Sequence, residues 1–211
     1  MTATLIPDLL FPVLENCNDP ETWKSILVCN KTIWNCSLLH RHLLKCKFSW
    51  NKAAKYGHLD VVKWLHENQR EGCTTNAMDY AAGRGHLDVV KFLHENREEG
   101  CTKYAMNKAA WCGHLDIVKW LHENRKGCTT TAMNWAAGEG HLDIVKWLHE
   151  TREEGCTTDA MDFAAKNGHL DVVKWLHENR EEGYTTDAMG HAARNGHLDV
   201  VTWLHENRST K

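Results

Sequence analysis

The sequence predicts an all-α solenoid of tandem helical hairpins, and three observations carry that prediction. The tetrad Gly-His-Leu-Asp begins at Gly57, Gly85, Gly113, Gly140, Gly168 and Gly196, at spacings of 28, 28, 27, 28 and 28 residues. A fixed period of that length marks a stacked repeat array. Each unit holds two stretches with helical periodicity, one built on Ala-Met and Ala-Ala pairs, the other on Leu-Asp-Val-Val-Lys-Trp-Leu-His. A pair of helices this short cannot bury its own apolar face, so stacking on the next pair must do it.

The elements follow in order. Residues 1–46 precede the repeat tetrad and hold all three prolines, Pro7, Pro12 and Pro20. Three short helices are expected there. The first follows Pro7. The second has Asp19 as N-cap and Pro20 at its first position. The third follows Ser37, with Leu39 and Leu43 one turn apart. This segment carries more apolar side chains than it can bury alone, so the first repeat or a partner must cover some. Asn51-Lys52-Ala53-Ala54 copies Asn107-Lys108-Ala109-Ala110. The array therefore fills residues 47–211 as about six units, the last truncated, with no linker before it.

Within a unit, the leading helix starts after Thr-Thr, as at Thr157 and Thr158, where a threonine N-caps it and Asp159 suits its positive end. Ala160, Met161, Ala164 and Ala165 form one face, and small alanines let a neighbouring helix come close. Gly168 ends the helix in the left-handed conformation. The trailing helix is expected from about Leu170 to Glu182, with Leu170, Val173, Leu176 and His177 on its inner side and Gly183 as its stop.

Comparing units within the chain separates packing from display. Ala77, Met78, Ala81 and Ala82 hardly change between copies, whereas the slots of Asn76, Asp79, Tyr80 and Gly83 do. At about 100° per residue the constant and the changing slots fall on opposite arcs of the leading helix. The changing arc is expected to be a concave recognition surface. Tyr80, Tyr104, Trp111, Trp135 and Phe163 would form its apolar centre, since exposed aromatics are typical interface anchors. Lys52, Lys108, Lys166 and His191 would add polar contacts. The trailing helices carry the nearly invariant ladder Trp64, Phe92, Trp120, Trp147, Trp175 and Trp203, as packing between units requires.

Composition excludes several functions. With 25 Lys and Arg against 28 Asp and Glu the formal charge is -3, and residues 1–46 are balanced, so no basic half is available for a duplex. No apolar run approaches the roughly 20 residues that span a bilayer. The N-terminus has no basic start, and Pro7, Asp8 and Pro12 break its apolar run, so an intracellular, cytoplasmic protein is expected. Nine cysteines include one per unit at Cys73, Cys101, Cys128 and Cys156. Equivalent slots in stacked helices lie about 8–10 Å apart, beyond disulfide reach, so small buried thiols are expected. Twelve of the fifteen histidines occupy two repeat slots. His66-Glu67 leads to Arg70 and His94-Glu95 to Glu98, so no zinc-protease motif is completed. One histidine per helix at a repeat pitch is too widely spaced for shared coordination, which leaves packing or hydrogen-bonding roles. No catalytic, metal or cofactor site is expected.

Two resemblances refine this reading. Gly168, His169, Leu170, Asp171, Val172, Val173, Lys174 and Leu176, preceded by Ala164, closely resemble the ankyrin repeat, over residues 47–211. That family's units are longer and carry a β-hairpin finger. Here Gly72 is followed almost at once by Cys73-Thr74-Thr75 and the next helix, so the finger is trimmed to a turn and the second helix extended, as at His66–Glu71. Residues 1–46 resemble an F-box, through Ile6-Pro7-Asp8, Leu10, Val13-Leu14, Asp19-Pro20-Glu21-Thr22 and Ile26-Leu27-Val28-Cys29-Asn30-Lys31. The resemblance implies docking on a Skp1-like adaptor subunit of a cullin-type ubiquitin ligase, through Ile6, Pro7, Leu10, Val13, Leu14, Leu27 and Val28. An F-box followed by an ankyrin array is similar to proteins of large DNA viruses of amoebae. The expected function is a non-enzymatic adaptor that captures a protein target on the array and docks the ligase at the other end, with no nucleic acid and no membrane involved. A plain binding or scaffold protein whose first helices only cap the stack is the alternative.

Overall fold

The computed structural model describes residues 50–68, 72–124, 129–151 and 155–207. Among these residues it is all-helical, with no strand. Leading and trailing helices alternate: α1 (Trp50–Lys55), α2 (Leu59–Asn68), α3 (Thr75–Gly83), α4 (Leu87–Asn96), α5 (Lys103–Trp111), α6 (Leu115–Asn124), α7 (Thr130–Gly138), α8 (Leu142–Thr151), α9 (Thr158–Asn167), α10 (Leu170–Asn179), α11 (Thr186–Arg194) and α12 (Leu198–Glu206). The F-box-like residues Ile6, Pro7, Leu10, Val13, Leu14, Leu27 and Val28 lie outside the described residues, as does Cys128.

One continuous core runs the length of the stack. The leading helices give it their Ala-Met and Ala-Ala faces and pack chiefly on one another. The trailing helices give it two β-branched residues and a leucine each, as Val89, Val90 and Leu93 do in α4. Ala77, Ala81, Ala82 and their counterparts through α9 are fully buried, so the expected packing arc is the observed one. In the sixth unit the same slots are less covered: Met189 is half-buried and Ala193 is exposed.

The glycine, histidine and aspartate of the invariant tetrad each have a physical reason. The glycine adopts positive φ, 81° at Gly168, and the next unit's histidine ring lies against it. A Cβ at Gly168 would come within 2.5 Å of His197 Nδ1. That histidine also serves the leading helix behind it, whose last carbonyls have no partner within their own helix. His86 Nε2 meets the Lys55 carbonyl and His141 Nε2 the Trp111 carbonyl, both at 3.1 Å. Asn167 and Asn195 donate to the Gly138 and Lys166 carbonyls in the same way. The aspartate occupies the first turn of the trailing helix, where negative charge is favoured, and Asp88 accepts the Val89 N–H at 2.8 Å.

The second histidine slot packs rather than coordinates. His94, His122, His149 and His177 each set their ring edge-on to the tryptophan of the following unit, with centroids 5.0–5.1 Å apart. His66 does the same against Phe92 at 5.7 Å. The tryptophan ladder is thus a seam between units, as its invariance implied.

Two expectations are corrected. α10 ends at Asn179, not near Glu182, and α4 likewise ends at Asn96; the end expected near Glu71 lies outside the described residues. The stop is built into the sequence. Asn179 Nδ2 donates to the Trp175 carbonyl at 2.8 Å, and Arg180 turns to extended backbone, with φ -131°. Its Nε then bonds Glu182 two residues on, at 3.1 Å. Arg97 and Glu99 repeat the arrangement after α4.

The second correction concerns the Asp79 slot, placed by periodicity on the free arc. Asp79 is only 3% exposed. It sits in the middle of α3, and its carboxylate reaches the start of the next leading helix. It accepts the Thr102 N–H at 2.9 Å and the Thr102 hydroxyl at 2.6 Å. Asn134 and Thr157 form the equivalent pair at 3.0 and 2.8 Å, and Asp162 and Thr185 at 2.9 and 2.7 Å. Thr102, Thr157 and Thr185 in turn N-cap their own helices. From α3 to α9 the slot holds Asp or Asn, either of which presents a carboxyl or carboxamide oxygen to the following threonine; in α11, the last leading helix, it is Gly190.

Candidate functional site

The free face of the leading helices is what remains after the Ala-Met and Ala-Ala faces and the Asp/Asn slot are spent on stacking. Tyr80, Tyr104, Trp111 and Phe163 stand on it with 41, 40, 38 and 38% of their surface exposed. Lys52 and Lys166 are exposed, and Lys108, Trp135 and His191 are half-buried. Side chains this large are seldom left uncovered in neighbouring units of one face.

The aromatic residues of α5, α7 and α9 form a cluster. Trp135 lies between Tyr104, edge-on at 6.4 Å, and Trp111, tilted at 5.9 Å. Lys108 Nζ sits 3.0 Å from the Trp111 ring centroid and 5.8 Å from that of Tyr104. Trp111 Nε1 donates to Glu139 at 2.8 Å across one repeat. The cluster is thereby held by ring contacts, a cation over a π face and one charge-assisted hydrogen bond, so its shape is set before any ligand arrives.

Beside it lies an open cleft of ≈ 330 Å³, lined by Trp111, Trp135, Gly138, Glu139, Phe163 and Lys166 with Asn167. Gly138 makes the cleft possible. A Cβ there would stand 2.9 Å from the Phe163 Cβ, so glycine lets α7 and α9 approach and leaves a hollow between flanking aromatics. Lys52 and His191 lie at the two ends of the row, away from this cluster.

Slot comparison missed Tyr56, Arg84 and Glu139. Tyr56 is 41% exposed, and Arg84 and Glu139 are exposed as well. Each directly follows a leading helix, one residue beyond the last slot compared. The signal was their variability in that position, which also reads Cys112, Asn167 and Asn195.

Burial pushes the Asp79 carboxyl above its ordinary range, against the opposing pull of its Thr102 hydrogen bonds. Burial likewise raises the Cys73 and Cys156 thiols, which makes them poor nucleophiles. Cys73, Cys101, Cys112 and Cys156 form no disulfide. Cys156 is buried as expected, whereas Cys73 and Cys101 are half-buried. Among the described residues no group of His, Cys, Asp and Glu is arranged to hold a metal ion. No helix among them is long and apolar enough to cross a membrane.

The family described as "Ankyrin repeats (3 copies)" matches over residues 15–106, 50–130, 106–187 and 133–211. The chain belongs to the ankyrin repeat family. Ankyrin arrays are typically non-enzymatic modules that bind protein partners, which agrees with a face of displayed aromatics. The first matched stretch begins at residue 15, ahead of the first Gly-His-Leu-Asp tetrad. No curated protein matches the chain.

Proposed function

We propose that the chain is a non-enzymatic adaptor that captures a protein target on the free face of its leading helices. The supporting observation is the run of exposed aromatics, Tyr80, Tyr104, Trp111 and Phe163, on the only arc of those helices that stacking leaves unused. Trp135 supports their arrangement from below, and Lys52, Lys108, Lys166 and His191 supply the polar rim. The finer proposal adds the F-box-like segment. It docks a Skp1-like subunit through Ile6, Pro7, Leu10, Val13, Leu14, Leu27 and Val28, so that target and ubiquitin ligase are held close in the cytoplasm. The mechanism is raised effective concentration rather than bond chemistry in this chain. If the likeness to viral proteins holds, the target belongs to the host.

A second reading has one observation in its favour. The ankyrin match that begins at residue 15 fits a segment that continues and caps the stack instead of docking a ligase. Two experiments separate the parts. Replacing Tyr80, Trp135 and Phe163 together with alanine should abolish capture of the target from cytosol with little change in melting temperature; unchanged capture removes this face. Co-purification with Skp1, lost on alanine replacement of Pro7, Leu10 and Val28 in a chain that still folds, supports the ligase arm. Its absence leaves the plain scaffold.

A further inference from the structure

The charge along the free face is not evenly spread. In the first three units its slots carry Lys52, Lys55, Arg84 and Lys108 and no acidic residue. Asp79, the nearest carboxylate in sequence, is buried and committed to Thr102. In the last three units the same slots carry Glu139, Asp159 and Asp187 against Lys166 and Arg194. A chain with a formal charge of -3 thus gathers a cationic, tyrosine-bearing stretch on one half of one face. The apolar cleft between Trp111, Trp135 and Phe163 lies immediately beside that stretch.

We propose that this face recognises an extended acidic peptide segment. The peptide's carboxylates lie on Lys52, Lys55, Arg84 and Lys108, and one large apolar side chain enters the Trp111–Trp135–Phe163 cleft. The proposal rests on the reading of this face as the target-binding surface and names the chemistry of the target. Charge complementarity supplies the argument for the cationic half, since opposite potentials steer encounter and fix register. Cleft size supplies it for the other half, because ≈ 330 Å³ lies at the small end of ligand pockets and suits one or two side chains. Leading helices packed about 10 Å apart place the first and fifth units roughly 40 Å from each other. An extended chain rising about 3.3 Å per residue covers that with a dozen residues.

A single-stranded nucleic acid would also find cations and aromatic rings here. The peptide is favoured because Glu139, fixed on Trp111 Nε1, stands at the rim of the cleft, and because Asp159 and Asp187 continue the face. A phosphate backbone following the row would meet all three.

The test uses the full chain, a display library of random dodecapeptides and a fluorescent oligothymidine of fifteen nucleotides. Selected peptides should carry more Asp and Glu than Lys and Arg, with one aromatic or long aliphatic residue at a fixed offset from the acidic run. The most enriched peptide should lose about tenfold in affinity between 50 mM and 500 mM salt, as screened charge pairs do. It should lose at least tenfold in the exposed-charge double variant Lys52→Glu, Arg84→Glu, and lose as much in Trp135→Ala. Circular dichroism establishes that both variants remain folded. Neutral or basic selected peptides overturn the proposal, as does binding that the charge reversal leaves unchanged, or oligothymidine bound more tightly than every selected peptide. If the peptides fail while the Tyr80, Trp135, Phe163 triple variant still loses its target, the surface assignment stands and only the acidic partner falls.

Discussion

Replacing Asn134 with alanine removes a single side chain and severs two links between units. Asn134 is 5% exposed. Its Nδ2 reaches the Thr157 hydroxyl at 2.8 Å, and its Oδ1 accepts the Thr157 N–H at 3.0 Å. Thr157 is the N-cap of α9 and accepts the Asp159 N–H at 3.2 Å, so the pair fixes both the position and the start of that helix. Two hydrogen bonds at roughly 0.5–1.5 kcal/mol net each predict a loss of about 1–3 kcal/mol. In a one-dimensional array this falls on one nearest-neighbour interface and is not diluted by distant contacts. Equilibrium urea unfolding reads it as a shift in midpoint. Asn134→Asp should recover most of the loss, because Asp79 and Asp162 do the same work in their own units. A change under about 0.3 kcal/mol in Asn134→Ala, or an aspartate variant as damaged as the alanine one, would refute the ladder as a source of stacking stability.

Two further outcomes follow from the same geometry. Gly168→Ala should cost more than Gly196→Ala. Both glycines have φ near 81° and so share the left-handed penalty of about 1–2 kcal/mol, but only Gly168 has a histidine ring within 2.5 Å of the new Cβ; equal losses by thermal unfolding would show that the ring yields freely. His114 gives a pH dependence. Burial holds its imidazole below the ordinary value, with His86 and His141 adding to the effect and Asp116 and the Gly83 carbonyl opposing it. The unfolded chain therefore binds the proton first as pH falls, so stability declines from about pH 6.5 down to the folded-state value. His114→Gln should flatten that part of the stability profile, and an unaltered slope would assign it to other groups.

The sequence made the architecture legible because every unit repeats the same solution. Ala77, Met78, Ala81 and Ala82 hold their identities from α3 through α11, and the tetrad glycine requires its backbone conformation wherever it occurs. What the sequence did not reveal depends on neighbours. Asp79 sits on the outer arc of an isolated helix and is buried only because Thr102 of the next unit closes over it. The early stop of α10 is set by Asn179 and Arg180, whose side chains act locally where helical periodicity would carry the helix on. The cleft was invisible for a related reason: its hollow comes from what Gly138 lacks, and its rim from Glu139, just past the helix end. The exposed aromatics were legible as a variable arc, while the contacts that bring Tyr104, Trp111 and Trp135 together join two adjacent units.

The most direct test of the account is hydroxyl-radical footprinting of the full chain with and without its captured protein partner. Tyr80, Tyr104, Trp111 and Phe163 should lose most of their oxidation when the partner binds, while the half-buried Trp120, Trp147 and Trp175 of the trailing helices react as before. Unchanged oxidation of the first four, with protection appearing along the trailing tryptophans instead, would contradict it.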